Sequence, residues 1–282
     1  MNENQNLVVI LFFLFWNLSS FGQEDLIRND FEVTNGDITI SASLYLPENS
    51  TSQFPVVIMV PGSAQDTRES YVPYVPVIQG IGYAVVLYDK RGTGRSTGDF
   101  VTVSSTNSKQ TIRLRANDVS SIVEYLKNHP KIKKNSIGLL ASSQGTWVAS
   151  SVYNLTRDID FIINYSGGVA SVGESDYYDE IMDNDSMSID EGNSRVSDFN
   201  GVKGFNPLSI IKKLEIPVLW VYGDLDQSHP GLHDISVLKG LNKSNFSIEL
   251  IKNMNHDLID ITTNLISDDM IKISMEWMSN QL

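Results

Sequence analysis

The sequence of 282 residues contains no cysteine. This absence excludes disulfide bonds, cysteine-ligated zinc, iron–sulfur clusters and a catalytic thiolate. The chain does not need such crosslinks, because a protein of this length can bury about 75% of its unfolded surface. The composition is otherwise typical of a folded protein, with 41% hydrophobic and 20% charged residues.

Positive charge is scarce, since 21 Lys and Arg stand against 34 Asp and Glu and give a formal net charge of −13. Nucleic-acid binding requires a basic surface, so no nucleic-acid partner is expected. The four histidines are also scattered, at positions 129, 229, 233 and 256. His229 and His233 are four residues apart, but Pro230-Gly231 between them disfavours a helix that would bring them together. We therefore expect no metal.

Long hydrophobic runs are missing too. The longest, residues 7–16, has ten apolar residues, which is too short to span a bilayer. Small and polar residues follow it up to Gly22, a pattern that predicts a signal peptide over 1–22 with cleavage before Gln23. The segment before the run carries Glu3 and no Lys or Arg, so an uncleaved anchor or a buried N-terminal strand are the alternatives. We expect a secreted, periplasmic or cell-envelope protein that is not stably inserted in the membrane after cleavage.

The remaining chain alternates between extended and helical patterns. Asn35-Gly36 separates two extended segments, which predicts a β-hairpin. Continuous apolar runs predict buried strands, and apolar residues at helical spacing predict helices. The predicted strands are 54–60, 82–88, 136–141, 159–165, 216–222 and 246–251, and the predicted helices are 111–128, 146–155 and 270–278.

This alternation predicts an α/β fold with a mostly parallel central sheet, helices on both faces and an antiparallel hairpin at the N-terminal edge. Ligands of such sheets bind at the carboxyl ends of the strands. Catalytic residues are therefore sought in the loops that directly follow strands.

One acidic segment, residues 174–198, interrupts the alternation. It holds nine acids and one base, Arg195, and it predicts an insertion over about 167–206 with little buried surface. Long loops in compact domains are usually functional or disordered, so either a solvated loop or a lid over a site fits this segment. The nine acids are Glu174, Asp176, Asp179, Glu180, Asp183, Asp185, Asp190, Glu191 and Asp198.

Two segments fit the G-x-S-x-G pattern of a nucleophile elbow, a sharp turn that holds a reactive serine between a strand and a helix. Gly94 to Gly98 fits it fully around Ser96, whereas the segment around Ser143 has Ala141 in place of the first glycine. Only Ser143 follows a predicted strand and precedes a predicted helix. Context therefore favours Ser143 as the nucleophile, with Ser142 one position away as the alternative.

The base and acid of a serine triad should follow the nucleophile in the order acid, then histidine. His256 lies in the loop after the last predicted strand, and it is the predicted general base. The preceding strand runs into Gly223-Asp224-Leu225-Asp226, where either carboxylate could orient the imidazole.

The oxyanion hole of such an enzyme consists of two backbone N–H groups. The residue after the nucleophile, Gln144, is expected to supply one of them. The second is expected from Ser63 or Ala64, in the loop that follows strand 54–60. A simple turn at Pro61-Gly62 is the alternative interpretation of that loop.

At these positions the chain resembles the α/β-hydrolase family, in particular its bacterial esterases and serine-aminopeptidase-like members with a small cap. The resemblance covers residue 54 to the C-terminus, and it implies one hydrolase domain over 23–282 with the acidic insertion as its cap. It also implies that Asp226 is the catalytic acid and that Ser96 only shapes its loop. The matching segments are PGSAQD (61–66), YDKRGTGRSTG (88–98), ASSQGTW (141–147), IPVLWVYGDLDQSHP (216–230) and NMNHDL (253–258).

The sequence therefore predicts a serine hydrolase that cleaves carboxylic esters of small or medium acyl groups through an acyl-enzyme. Its substrate would be a small ester, and no cofactor is required because His256 activates Ser143 directly. A serine exopeptidase or amidase that acts on short peptides with the same triad is the first alternative. An inactive binding protein with a hydrolase fold is the second, since fold alone does not establish activity.

Overall fold

The computed structural model describes residues 26–48, 52–184 and 187–282, and the predicted signal peptide lies outside them. No helix of these described ranges is both long and apolar enough to cross a membrane. The strands are β1 (Ile27–Asn35), β2 (Ile38–Leu46), β3 (Phe54–Val60), β4 (Ala84–Tyr88), β5 (Ile132–Ser142), β6 (Phe161–Tyr165), β7 (Val218–Gly223), β8 (Phe246–Ile251), β9 (Ile259–Asp260) and β10 (Leu265–Ile266). The helices are α1 (Val75–Gln79), α2 (Ser108–Lys127), α3 (Gln144–Thr156), α4 (Val172–Asn184), α5 (Ile189–Arg195), α6 (Leu208–Ile211), α7 (Gly231–Leu241) and α8 (Asp268–Ser279).

Eight strands form one sheet in the order β1-β2-β4-β3-β5-β6-β7-β8. The strands from β4 to β8 in this order are parallel, and β2 joins β4 in the antiparallel direction. The predicted hairpin is confirmed, since β1 and β2 pair along their whole length around a turn where Gly36 has φ +61°. This architecture is the mostly parallel sheet predicted from the sequence.

Both faces of the sheet are buried at its central strands β3, β4, β6 and β7, which explains why these strands are continuous apolar runs. Side chains alternate along each strand, so β3 sends Val56 and Ile58 into one core and Val57 and Met59 into the other. The first core is closed by α2, α3 and α7, and the second by α1 and α8. The sheet is thus a rigid central layer from whose carboxyl edge the functional loops project.

The acidic insertion is more ordered than a solvated loop. Its described part forms α4, α5 and a short 3-10 helix, Val196–Asp198. The expectation of little buried surface is wrong for a specific reason: Tyr178 and Val196 are fully buried and anchor the helices, while most of the described acids are exposed. Periodicity alone did not predict these helices, because so few apolar residues carry the pattern.

Two other segments differ from the sequence-based assignment. Residues 68–79 form a 3-10 helix, Arg68–Tyr74, followed by α1, although they contain Pro73 and Pro76. Proline fixes φ near the helical value, and Pro76 lies in the first turn of α1, where its missing N–H costs no hydrogen bond. Pro73 lies near the end of the 3-10 helix. Helix α7 begins at Gly231, immediately after Pro230, and fills the region between β7 and β8.

Candidate active site

Ser143 occupies a strained turn between β5 and α3. Its φ of 49° and ψ of −124° lie outside the regions that a non-glycine residue usually adopts. The turn is held by a hydrogen bond of 2.8 Å from the Ser143 N–H to the carbonyl of Tyr165 on the neighbouring strand. This strain fixes the serine hydroxyl at the carboxyl edge of the sheet, as the strand–turn–helix pattern predicts.

The small residues around Ser143 have a steric cause. A Cβ atom added to Gly145 would lie 2.3 Å from the carbonyl oxygen of Val60, so no side chain fits there. Ala141, in contrast, is fully buried among apolar side chains, which leave room for its methyl group. The departure from glycine at position 141 is therefore compatible with the turn.

Three predicted residues meet at this edge. His256 Nε2 lies 3.0 Å from Ser143 Oγ, and His256 Nδ1 lies 3.0 Å from both carboxylate oxygens of Asp226. The hydroxyl, the imidazole and the carboxylate thus form one continuous hydrogen-bonded chain, although the three residues lie in loops after different strands. A serine nucleophile, its base and an orienting acid require this arrangement.

Asp226 rather than Asp224 faces the imidazole. Asp226 is 1% exposed, and its Oδ1 also accepts hydrogen bonds from the backbone N–H groups of Ser228 (2.9 Å) and His229 (2.8 Å). These bonds hold the carboxylate aimed at His256. Asp224 Oδ1, in contrast, is buried without a hydrogen-bond partner.

The electrostatic environment of His256 favours its protonated form. Burial alone would lower the pKa of His256, but the hydrogen bond and charge of Asp226, together with the charges of Asp257 and Asp179, outweigh it. The pKa of His256 is raised above its ordinary value as a result. The site is thus prepared to stabilise the imidazolium that forms when the serine loses its proton.

The remaining histidines have structural contacts. His229 is buried, stacks on Tyr222 and hydrogen bonds through Nε2 to Asp234 Oδ2 at 2.7 Å. His233 sits at the start of α7, and its backbone N–H donates to Asn193 on α5. His129 lies after α2, far from the carboxyl edge, where its Nδ1 accepts from the backbone N–H of Lys131.

Ser96, the centre of the better sequence match, is tied to the backbone. Its hydroxyl donates to the carbonyl of Asp89 at 2.7 Å and accepts from the N–H of Ser41 at 2.9 Å. The first contact closes the glycine-rich loop on the end of β4, and the second joins it to β2. A serine that uses its hydroxyl in this way and has no neighbouring base is a structural residue.

The predicted oxyanion donors lie on two sides of Ser143. Gln144 is the first residue of α3, and the N–H groups of a first helical turn have no partner within the helix. Gly62 lies beside the nucleophile, since a Cβ atom built on it would be 3.4 Å from Ser143 Cβ. Ser63 and Ala64 follow in an exposed loop that lines the cavity next to Ser143.

Two buried cations near this loop were not predicted from the sequence. Lys90, 3% exposed, donates from Nζ to the carbonyls of Gly62 (2.8 Å) and Ala64. Arg115, 5% exposed, donates to the side-chain oxygen of Gln144. Charged side chains are rarely buried, so no sequence pattern marked these two. The only available signal was the position of Lys90 inside the YDKRGTGRSTG segment.

A largely apolar cavity of about 360 Å³ opens beside Ser143 and His256. Its walls come from the loop after β3, the 3-10 helix before α1, and α8. It is lined mainly by aliphatic, methionine and tyrosine side chains, and Asp66 and Asp257 are the carboxylates in its lining. The apolar residues that line it include Tyr71, Tyr74, Val77, Ile78, Leu140, Tyr165, Met270, Ile271 and Met275.

The acidic helices approach the site from another direction. The Tyr178 hydroxyl donates to the backbone carbonyl of Asp226 at 2.9 Å, and Asn193 Nδ2 donates to that hydroxyl at 3.2 Å. The charge of Asp179 on the same helix acts on His256. None of the described residues of 174–198 lines the cavity. The helices therefore cover the turn that carries Asp226, not the cavity.

No cluster of His, Cys, Asp and Glu suited to a metal ion occurs within the described ranges. The expectation of an enzyme without metal or cofactor remains a prediction.

Comparison with solved structures shows that the chain has the fold of the α/β-hydrolases. An α/β-hydrolase, GrgF, from a Penicillium species has a TM-score of 0.66 at 18% identity and covers 91% of this chain and 99% of its own. The esterase of Pyrococcus furiosus has a TM-score of 0.67 at 18% identity, with 91% of each chain covered. The acylaminoacyl peptidase of Pyrococcus horikoshii has a TM-score of 0.68 at 17% identity, with all of this chain but only 44% of that protein covered.

At such low identities the structural similarity establishes the fold alone, and it confirms the predicted α/β-hydrolase fold. The comparison with curated proteins gives no match. A family model does match: that of the X-Pro dipeptidyl-peptidases, the S15 family, over residues 35–198, which is more than half of the chain. The chain therefore belongs to the X-Pro dipeptidyl-peptidase (S15) family, and it is a hydrolase-type protein with the α/β-hydrolase fold.

Proposed function

We propose that this protein is a serine hydrolase that cleaves carboxylic esters of small or medium acyl groups through an acyl-enzyme. The observation that carries the proposal is the unbroken chain of 3.0 Å hydrogen bonds from Asp226 through His256 to Ser143. An inactive binding protein would not need to keep a strained serine, a buried carboxylate and an imidazole at hydrogen-bonding distance from one another.

In the proposed reaction, Ser143 Oγ attacks the carbonyl carbon of the ester while His256 Nε2 takes the hydroxyl proton. Asp226 holds the imidazole in the tautomer that leaves Nε2 free to accept, and it stabilises the imidazolium. The N–H groups of Gln144 and of Ser63 or Ala64 would bind the oxyanion. His256 then returns the proton to the leaving alcohol, and water releases the acid by the same steps.

The cavity supports an ester with an apolar acyl group. Ligand sites that are largely apolar with a few polar groups bind apolar chains by removing them from water. The reacting hydroxyl lies in the lining of the cavity, so an acyl chain in the cavity would present its carbonyl to Ser143. The wall contains no Lys or Arg, which disfavours an acyl group that carries a carboxylate.

A serine exopeptidase is the second candidate. It is favoured by the match to the X-Pro dipeptidyl-peptidase family and by Asp66 and Asp257 in the cavity lining. A carboxylate near the reacting group can pair with the free ammonium of a peptide N-terminus. The matched region ends at residue 198, however, before Asp226 and His256.

A substrate panel separates the two candidates. Purified protein lacking 1–22 is assayed with p-nitrophenyl esters of two to twelve carbons and with X-Pro p-nitroanilides, after active sites are counted by burst titration. The proposal expects ester kcat/KM to exceed that for every X-Pro anilide by at least about 10²-fold, after correction for the leaving groups' intrinsic reactivity. Preference for the X-Pro anilides would establish the peptidase. A folded protein inactive on both sets would favour the binding protein.

A further inference from the structure

Lys90 stands out among the charged residues near the active site because it is buried and forms no ion pair among the described residues. Its ammonium instead donates to two backbone carbonyls, those of Gly62 and Ala64, and lies 5.4 Å from the centre of the Phe100 ring. Burying a cation in this way is costly, so a functional reason for it is sought.

The two carbonyls belong to the loop that carries the expected oxyanion donor. In a trans peptide unit the C=O and N–H groups point in opposite directions. When the Gly62 carbonyl faces Lys90, the N–H of Ser63 must therefore face away from it. Gly62, Ser63 and Ser143 line the cavity, whereas Lys90 does not. The loop thus lies between the ammonium and the cavity, and the Ser63 N–H is turned toward the cavity side.

We propose that Lys90 is a positioning residue of the oxyanion hole, which fixes the Gly62–Ser63 peptide with its N–H toward Ser143 and polarises that N–H by binding the carbonyl of the same peptide. This inference rests on the proposed function, because it assigns a role in the reaction of Ser143. A cation on the carbonyl withdraws electron density from the N–H, so the donor is strongest where negative charge develops. Lys90 itself touches neither substrate nor nucleophile.

The contact to Ala64 adds a second anchor. Two carbonyls of one short loop on a single ammonium fix both the position and the tilt of the loop. Ser63 and Ala64 are themselves exposed, so little apolar packing would otherwise order them. Lys90 replaces that missing packing with two charge-assisted hydrogen bonds.

The protonation of Lys90 gives an independent readout. Burial and the nearby charge of Arg115 on α2 lower the pKa of Lys90 to about 8, against an opposing effect of Asp66 in the same loop. Above that pH the neutral amine loses the charge that polarises the peptide. The kcat of the wild-type enzyme should therefore fall as pH rises through about 8. This alkaline limb is separate from the acid limb that protonation of His256 produces.

The test compares the wild-type protein with Lys90→Met, Lys90→Arg and a control, Lys133→Met, in which an exposed lysine of β5 is replaced. For each variant kcat and KM on the best ester are measured, together with the inhibition constant of an alkyl boronic acid at one fixed pH. The boronate adduct of Ser143 carries a tetrahedral anion that occupies the oxyanion hole. Thermal melting establishes which variants are folded.

We expect Lys90→Met to lower kcat by about 10²-fold or more, the effect of losing one oxyanion donor, with KM changed less than about threefold. The affinity of Lys90→Met for the boronate should fall together with its kcat. The alkaline limb should be absent from the pH profile of kcat of this variant. Lys90→Arg, which keeps the charge and donors, should recover at least about tenfold of the loss. Lys133→Met should match the wild type.

Four results would overturn the inference. One is a folded Lys90→Met protein whose kcat lies within about threefold of the wild type, since losing a donor costs far more. Another is a loss of kcat without a loss of boronate affinity, which would indicate a role outside the oxyanion hole. If Lys90→Met does not fold, a wild-type profile without an alkaline limb contradicts the inference. A wild-type protein that neither hydrolyses esters nor binds the boronate refutes the proposed function and this inference with it.

Discussion

The two sides of the Ser143–His256 pair differ sharply in chemistry. On one side lies the apolar cavity, whose walls come from the loop after β3, the segment before β4 and α8. On the other side lie the acidic helices α4 and α5, which hold the Asp226 turn through Tyr178. Under the proposed function, this difference means that the cavity side selects the substrate and the acidic side sets the position and charge of the acid–base pair.

The largest expected effect on the acidic side comes from the carboxylate itself. Asp226→Asn should lower kcat by about 10⁴-fold, because the amide no longer fixes the tautomer of His256 or stabilises the imidazolium. KM for esters should change little, since Asp226 does not line the cavity. The measurement is steady-state kinetics on the best ester.

Asp224→Asn is the matched control for that change. It alters the neighbouring acid of the same turn, and it should retain kcat within about tenfold because Asp224 does not face His256. If the two substitutions had equal effects on kcat, Asp226 would not be the orienting acid. The acidic side would then have no special part in the chemistry.

An intermediate effect is expected from the cavity side. Each CH₂ group buried there should raise kcat/KM about fourfold, which corresponds to about 0.8 kcal/mol, until the cavity is full. Ile271→Trp on α8 should shorten the best acyl chain, because the indole takes up space in the cavity. The measurement is kcat/KM across straight-chain esters of increasing length.

Lys272→Trp is the control for this series, since it places the same ring at the adjacent, exposed position of α8. It should leave the chain-length profile unchanged. If kcat/KM were independent of chain length in the wild type, or if both tryptophan variants shifted the profile alike, the cavity would not be the acyl site.

The smallest effect concerns charge alone. The raised pKa of His256 places the acid limb of kcat/KM at a higher pH than an ordinary histidine would give, because only the neutral imidazole acts as a base. Asp179→Asn removes one of the charges that raise it. The acid limb should therefore move to lower pH, with the plateau of kcat/KM unchanged.

Glu180→Gln, one residue along the same acidic helix and exposed, serves as the control for Asp179→Asn. Its acid limb should stay where the wild-type limb lies, because Glu180 does not act on His256. Equal shifts in both variants would mean that the total charge of the helix matters rather than a carboxylate facing the site.

The same contrast explains which features the sequence predicted. The strands after which Ser143 and Asp226 lie are buried on both faces where they approach these residues, so their sequences are continuous apolar runs that can be recognised without tertiary information. The edge strand before His256 is only partly buried, and its apolar residues are interrupted by Ser247 and Glu249. The sheet and the order of the loops followed from the apolar runs, and the hairpin followed from Asn35-Gly36. Ser143 was separable from Ser96 because only Ser143 stands between a strand and a helix.

Other features could not be predicted because they depend on burial of polar groups. Lys90 and Arg115 are charged residues whose buried positions leave no trace in composition or periodicity. The sequence predicted a loop or a lid in place of the acidic helices, because only a few apolar side chains, above all Tyr178, anchor these helices and leave a periodic pattern. Which carboxylate faces His256 also depended on backbone hydrogen bonds in the turn, and residue spacing alone left Asp224 and Asp226 open.

The most direct test of the central claim, that Asp226 and His256 activate Ser143, is reaction of the purified protein with a fluorophosphonate followed by peptide mapping. The account predicts a single adduct, on Ser143, which forms at the same rate in Ser142→Ala and is lost in His256→Ala while both variants remain folded. An adduct on Ser96 or Ser142, or a Ser143 adduct that forms equally fast without His256, would contradict it.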